Sequence, residues 1–235
     1  MEIPYTGSGV TGSAIGMDKW RSKLIWHSLE LPVIPAESIK ADSSLSEETA
    51  SRLFEKLGST LMVKPSAEGS SIGMTKAQTV EQLIAGFKTA ARFGGNVLIE
   101  QWIEGKEFSV SILNGKALPA IYIKPAREFY DYDAKYKESG TQYFCQTDLT
   151  DDEEQHLATM SLDAFEYIDC SGWGRVDFIH DNDSGKFYLL EVNTVPGMTK
   201  TSLVPIAAKA SGLSFSKLVV EILKTSLTDG EKANA

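Results

Sequence analysis

Two stretches, Gly174-Arg175-Val176-Asp177-Phe178-Ile179-His180 and Lys186-Phe187-Tyr188-Leu189-Leu190-Glu191-Val192-Asn193, flank the turn Asp183-Ser184-Gly185. Alternating runs on either side of an Asp/Ser/Gly cluster predict an antiparallel hairpin. Folded about that turn, Asp177 faces Glu191 and Arg175 faces Asn193. Period-two alternation puts all four on one side of the sheet. The other side then carries Val176, Phe178, Leu190 and Val192, a core-like set. Like charges directly opposite each other destabilise a strand pair. A divalent cation between Asp177 and Glu191 removes that conflict. Two carboxylates and an amide oxygen are hard donors, suited to Mg²⁺ that also takes phosphate oxygens. The competing reading is an ion-pair cluster built around Arg175.

Three further segments carry chemistry. Met62-Val63-Lys64-Pro65-Ser66-Ala67-Glu68-Gly69-Ser70-Ser71-Ile72-Gly73 reads as a strand that delivers a lysine into a Gly/Ser loop. Glycine lets backbone N–H groups approach phosphate oxygens, and the lysine neutralises charge. The P-loop spacing G-x-x-x-x-G-K-[ST] is absent, and an ordinary polar turn fits this segment equally well. Leu98-Ile99-Glu100-Gln101-Trp102-Ile103-Glu104-Gly105-Lys106-Glu107 runs between two expected lobes, where ligand clefts often lie. Its backbone could pair with an adenine edge, and Glu107 could accept from ribose hydroxyls. Simple solvated charges are the plainer reading of those residues. Finally, Pro196-Gly197-Met198-Thr199 is followed by Ser202-Leu203 at a helix start. A glycine amide and a helix N-terminus both favour a carboxylate.

Around these segments the chain reads as α+β. Helices are expected at 17–30, with Trp20 and Leu24 on one face, and at 46–57, 79–93, 151–168, 205–212 and 215–227. Strands are expected at 61–64 and 97–102. A hairpin is expected at 107–113 and 117–124, joined by Asn114-Gly115. Residues 1–16 read as a connector, 17–103 as a helix–strand lobe and 104–235 as a mainly antiparallel lobe. The polar, aromatic stretch Arg127–Cys145 is long for a loop and is expected to be a lid. Gly7-Ser8-Gly9-Val10-Thr11-Gly12 matches G-x-G-x-x-G literally. It has no room for the preceding strand that a dinucleotide fold requires, so it is read as a flexible connector.

A net charge of −9 gives no general attraction to nucleic acid or anionic membrane, so phosphate binding must rest on locally placed lysines. No apolar run reaches the ~20 residues needed to span a bilayer, and the start shows no signal-peptide pattern. Two cysteines suit a reduced, cytoplasmic interior.

Taken together, several segments resemble the D-alanine–D-alanine ligases. They include Met17-Asp18-Lys19, Val63-Lys64-Pro65-Ser66, Glu68-Gly69-Ser70-Ser71, Phe129-Tyr130-Asp131-Tyr132-Asp133-Ala134-Lys135-Tyr136, Gly172-Trp173-Gly174-Arg175-Val176-Asp177, Asn193-Thr194 and Pro196-Gly197-Met198-Thr199. They run in family order over nearly the whole chain. The resemblance implies an ATP-grasp fold, two α+β subdomains enclosing a nucleotide site, and ATP-dependent joining of two D-alanines for peptidoglycan precursors. ATP and Mg²⁺ (or Mn²⁺) are the implied cofactors. It implies that Lys19 and Lys64 hold phosphates under the Glu68–Ser71 loop, while Glu100, Gln101, Trp102 and Ile103 present the adenine edge. Glu107 holds ribose, and Asp177, Glu191 and Asn193 hold Mg²⁺. Phe129 and Lys135 complete the nucleotide site. Arg175 and the Gly197 amide stabilise the oxyanion. Lys135, Ser202 and Leu203 receive the second substrate's carboxylate, and Tyr136 with Ser70 forms a hydrogen-bonded set nearby. Gln101 stands where lysine is common in the family. The family also has an N-terminal domain that binds the first D-alanine, and no counterpart of it is read here. A second copy or a separate N-terminal chain is the implied partner.

Overall fold

The computed structural model describes residues 3–124 and 140–227. Two sheets, each with its own core, enclose a cleft. The smaller has the strand order β1 (Ala36–Lys40), β4 (Asn96–Gln101), β2 (Leu61–Pro65), β3 (Thr75–Ala77), all antiparallel. Helices α3 (Glu47–Leu57) and α4 (Val80–Ala91) cover one side of it. Ser46 and Thr79 cap these helices by accepting from the N–H groups of Thr49 and Gln82. Leu53, Leu57, Leu83 and Phe87 from the helices meet Leu61, Val63, Val97 and Ile99 from the strands. Alternation then turns Met62, Lys64 and Glu100 to the opposite side, toward the cleft.

The larger sheet has the order β10 (Phe187–Asn193), β9 (Trp173–Asp181), β5 (Gly105–Leu113), β7 (Ile121–Lys124), β8 (Gln142–Phe144), with β6 (Lys116–Ala117) paired to β5. The expected hairpin register is present: Asp177 pairs with Glu191 and Arg175 with Asn193. Of the expected core face, Val176, Phe178 and Val192 are buried, but Leu190 is not. A bulge between Leu189 and Glu191 pairs Phe178 with Leu189. One extra residue reverses side-chain parity, so Leu189 is fully buried and Leu190 turns into the cleft. Asn114 and Gly115 form the expected tight turn, with φ 51° and 69°. The strand expected after it breaks at 118–120, where Pro119 has no N–H for the ladder. Strand β8 lies within the segment expected to be a lid; the rest of that segment, through Thr141, is outside the described residues or outside regular structure.

On one side of the larger sheet, α5 (Asp151–Glu166) packs over Phe108, Val110, Val176, Phe178 and Leu189. On the other, α6 (Leu203–Ala210) covers Ile121 and Ile123, and α7 (Phe215–Lys224) packs beside it through Leu218 and Ile222. The rest of that second side presents Glu107, Asp177 and Glu191, with Ile179 and Leu190, to the cleft.

The N-terminal residues correct two expectations. Residues expected to be a flexible connector form α1 (Val10–Met17), followed after Asp18 by α2 (Lys19–Ser28). The glycines serve packing: a Cβ on Gly12 would stand 2.2 Å from the Asp169 carbonyl oxygen. Both helices also belong to the larger lobe's core. Ile15 and Ile25 pack there, and the fully buried Trp26 donates from Nε1 to the Ala164 carbonyl at 2.8 Å. The expected boundary at residue 17 therefore falls inside this pair of helices. The buried face of α2 is Ser22, Lys23 and Trp26, whereas Leu24 is exposed. Gly12→Ala should lower stability by about 1–3 kcal/mol through overpacking. An unchanged urea midpoint would show that α1 shifts freely on the sheet.

Candidate functional site

The cleft between the two sheets has a volume of about 270 Å³. One end is set by Asp18, the N-cap of α2, which accepts from the N–H groups of Trp20 and Arg21. Ser66 Oγ donates to the same carboxylate at 2.5 Å, and the Lys19 N–H donates to the Ser66 carbonyl at 3.0 Å. Burial pushes the Asp18 pKa up, but the bonds from Ser66 and Arg21 outweigh it and hold the carboxyl below its usual range. The start of the Gly/Ser loop is thus pinned to α2. Lys19 extends from this junction. Its Nζ donates to the Glu68 carbonyl at 2.6 Å and lies 2.9 Å from Glu191 Oε2, so one lysine touches both the loop and β10. In the loop Ser70 and Ser71 take φ of 54° and 57°. Consecutive non-glycine residues in the left-handed region are uncommon.

The cleft floor holds a second ionic group. Glu100 is 2% exposed and stands between Lys64, with Nζ 2.5 Å from Oε2, and Lys23, with Nζ 2.9 Å from Oε1. Burial pushes the Glu100 pKa up, yet the two ammonium groups outweigh it and hold the carboxyl below its ordinary value. Burial pulls the Lys23 pKa down, with Glu100 opposing and Lys64 reinforcing the fall. Lys23 also donates to the Leu189 carbonyl at 3.2 Å. Glu100, expected at a nucleobase edge, therefore lines the cleft from within a lysine–carboxylate cluster.

Past β4 the chain crosses between lobes. Gln101 and Trp102 spend their N–H groups on the carbonyls of Pro35 and Thr60. Trp102 Nε1 donates to Glu104 at 2.9 Å, and the Lys76 ammonium sits 4.3 Å from the centre of the Trp102 ring. Gln101, Trp102 and Ile103 all line the cleft, and so does Glu107 on β5.

Asp177 and Glu191 complete the polar wall on the larger sheet. Asp177 is fully engaged: Arg175 Nε and Nη2 each donate to it at 2.8 Å, Ser109 Oγ at 2.8 Å and Asn193 Nδ2 at 3.0 Å. The opposed carboxylates and the ion-pair cluster thus coexist. Among the described residues no group of three or more His, Cys, Asp or Glu side chains is arranged to hold a metal. The opposed pair with Asn193 nevertheless fits a hard cation in donor type, because Mg²⁺ commonly takes few protein oxygens and the rest from phosphate and water.

Some expected residues lie apart. Arg175, Asn193, Gly197, Ser202 and Leu203 do not line the cleft. Ser202 Oγ accepts from the Thr199 N–H at 3.0 Å, and the Leu203 side chain is buried against Ile121 and Ile123. Only the backbone at the start of α6 could meet a carboxylate at Leu203. Phe129, Lys135 and Tyr136 lie outside the described residues. Three features were missed. Lys23 and Lys76 are in polar surroundings that gave no signal. The apolar walls are Met62 and Met74 on one lobe and Ile179 and Leu190 on the other; of these, only Leu190 was given a place by the sequence, in the core. Among the described residues no single helix is long and apolar enough to cross a membrane.

A sequence family described as D-ala D-ala ligase C-terminus matches residues 25–224. The D-alanine–D-alanine ligase of Bacillus anthracis is 36% identical, with a TM-score of 0.84 over 99% of this chain and 74% of that one. A structure of the Bacillus anthracis enzyme complexed with ATP matches at 32% identity and TM-score 0.82, over 99% and 73%. The Coxiella burnetii D-alanine–D-alanine ligase shares the fold, with TM-score 0.84 at 24% identity over 99% and 62%. With the family matched over most of its length and the lysines and opposed carboxylates drawn around one cleft, this chain belongs to the D-alanine–D-alanine ligase family of ATP-dependent ligases, whose C-terminal part it carries.

Proposed function

We propose that these residues bind ATP and Mg²⁺ for the joining of two D-alanines through an acyl phosphate, a step that supplies peptidoglycan precursors in the cytoplasm. The observation that carries this reading is one cleft lined by Lys64 on the smaller sheet, by Lys19 at the start of α2, and by Asp177 and Glu191 on the larger sheet. The ATP complex of the Bacillus anthracis relative supports the choice of nucleotide.

In this reading the base lies between Met62 and Met74 on one side and Ile179 and Leu190 on the other. Gln101, Trp102 and Ile103 offer backbone along its edge. Glu107 accepts from ribose, while Lys19, Lys64 and the Glu68–Ser71 loop meet the triphosphate. Asp177, Glu191 and Asn193 hold Mg²⁺, which when bound offsets phosphate charge. The γ-phosphoryl group passes to the carboxylate of one D-alanine, leaving ADP. The amine of the second then attacks the acyl carbon and phosphate departs. Arg175 and the Gly197 amide stabilise the oxyanion of that attack, and the start of α6 receives the second carboxylate. Ser70 and Tyr136 form a hydrogen-bonded set near the substrates, with Phe129 and Lys135 completing the site.

Lys19 bridges Glu68 and Glu191. Binding must exchange those contacts for phosphate, and Mg²⁺ compensates Glu191. Titration calorimetry with a non-hydrolysable ATP analogue should therefore show binding that weakens at least about tenfold when Mg²⁺ is chelated. No heat at millimolar analogue with excess Mg²⁺ would rule the reading out.

A further inference from the structure

Lys23 is a charged group without a part in the chemistry above. Its side chain is 2% exposed, and it does not line the cleft. Burying an ammonium is expensive unless it is paired. Its Nζ stands 2.9 Å from Glu100 Oε1 and donates to the Leu189 carbonyl at 3.2 Å. The first partner is on the smaller sheet, and the second is on β10, two residues before Glu191. Lys23 thus ties both sheets to α2 from behind the cleft floor.

Lys64 takes the other oxygen of Glu100, with Nζ 2.5 Å from Oε2, and unlike Lys23 it lines the cleft. One buried carboxylate is therefore shared by two ammonium groups, one enclosed and one at the cleft floor. Together they carry one positive charge more than Glu100 cancels. A lysine that was the sole partner of a buried carboxylate could serve a ligand anion only by leaving that carboxylate unpaired, which is strongly unfavourable. With Lys23 in place, Glu100 keeps a counter-charge whatever Lys64 binds.

We propose that Lys23 is a positioning residue that balances the buried Glu100 charge in place of Lys64, so that the Lys64 ammonium is available to the phosphates of a nucleotide. This rests on the nucleotide reading of the cleft. Lys23 acts through Glu100 and touches no ligand itself. With methionine in its place, Lys64 becomes the sole counter-charge of Glu100, and phosphate must compete with that carboxylate for it. The loss should fall on the phosphates and spare the nucleoside, which Gln101–Ile103 and Glu107 meet.

The test compares a non-hydrolysable ATP analogue with Mg²⁺, titrated by calorimetry, and adenosine, measured by its displacement of that analogue. Both are bound to the full chain and to its Lys23→Met, Glu100→Gln and doubly substituted forms. Lys23→Met should weaken the ATP analogue by at least about tenfold and change adenosine by less than about threefold. A merely structural Lys23 would weaken both ligands alike and leave the ratio of their affinities unchanged. Glu100→Gln removes the charge that Lys23 balances. In that background, adding Lys23→Met should change the ratio no further. A further fall there would mean that Lys23 attracts phosphate by its own charge. The double form removes both buried charges, so it keeps the test alive if Lys23→Met does not fold. An unchanged ratio in Lys23→Met, or a further change in the double form, overturns the proposal. No binding of the ATP analogue by the unsubstituted chain would instead defeat the nucleotide reading itself.

Discussion

Asp177→Asn should destabilise the ligand-free protein by about 2–4 kcal/mol, the range for breaking a partly buried, hydrogen-bonded charge pair. From strand pairing alone the opposite result is expected: two facing carboxylates repel, so neutralising one should relieve strain. The structure reverses that sign for Asp177. Its side chain and that of Arg175 are each only 13% exposed, and the guanidinium binds it in a bidentate fork. Ser109 and Asn193 donate to the remaining lone pairs. An asparagine in its place keeps one acceptor oxygen and turns an NH₂ group toward donors, which breaks the bidentate ion pair with Arg175. Glu191→Gln should cost much less. Glu191 is 21% exposed and its ion pair with Lys19 is made by a flexible side chain at the cleft wall. Both substitutions should weaken binding of the nucleotide–Mg²⁺ complex. Urea unfolding of the two variants decides the matter. Equal or greater stability of Asp177→Asn would mean that repulsion from Glu191 outweighs the Arg175 network. The pair would then be held apart for a cation, with little structural role of its own.

How much of this was legible in the sequence depends on what each residue is paired with. The Asp177–Glu191 register could be read, because strong alternation on both strands and a clear turn fix the pairing. The burial of Leu189 in place of Leu190 could not, because the bulge leaves no mark in a run of Tyr188, Leu189 and Leu190. The capped helices α3 and α4 followed from Ser46, Thr79 and amphipathic spacing. Helix α2 was located, but its buried face was assigned wrongly. That face carries Lys23 and Ser22, which a hydropathy pattern assigns to solvent. Their burial is made tolerable by Glu100 and by the Ile15 carbonyl, partners 77 and 7 residues away in the chain. The same limit explains Glu100. Its two lysines come from α2 and β2, and only the assembled fold shows that they converge. Short edge strands such as β1 and β3 were missed for a different reason. Ala36-Glu37-Ser38-Ile39-Lys40 has no period-two apolar alternation, and it is a strand because β4 offers a row of backbone partners. The N-terminal glycines were read as flexible, when Gly12 is required by close approach to Asp169.

The 235 residues alone should form D-alanyl-D-alanine at least about a thousandfold more slowly than an ordinary enzyme rate of ~10 s⁻¹. In the proposed reading the cleft supplies groups for the triphosphate and the cation, and Arg175 with the start of α6 serves the second amino acid. The resemblance assigns the contacts of the first D-alanine to a domain N-terminal to these residues, and the match to the Bacillus anthracis ligase covers 74% of that chain. Holding two small reactants in line can supply ~7–11 kcal/mol of a barrier. With one of the two amino acids unheld, roughly half of that contribution is lost, about 4–5 kcal/mol, or about three orders of magnitude in rate at ~1.4 kcal/mol per decade. The phosphate and metal groups cannot make up the difference, because they act on ATP whether or not an acceptor carboxylate is in place. Nucleotide binding should therefore survive in a chain that barely turns over. Phosphate release with ATP, Mg²⁺ and D-alanine, measured with and without a separately added N-terminal domain from a relative, separates these contributions. Restoration by the added domain is the expected result. D-alanine-dependent turnover near ~10 s⁻¹ without it would mean that these residues hold both amino acids themselves, and the positions to search would then be the Ser70–Ser71 loop, which lines the cleft with Asp177, and Arg175 beside Asp177.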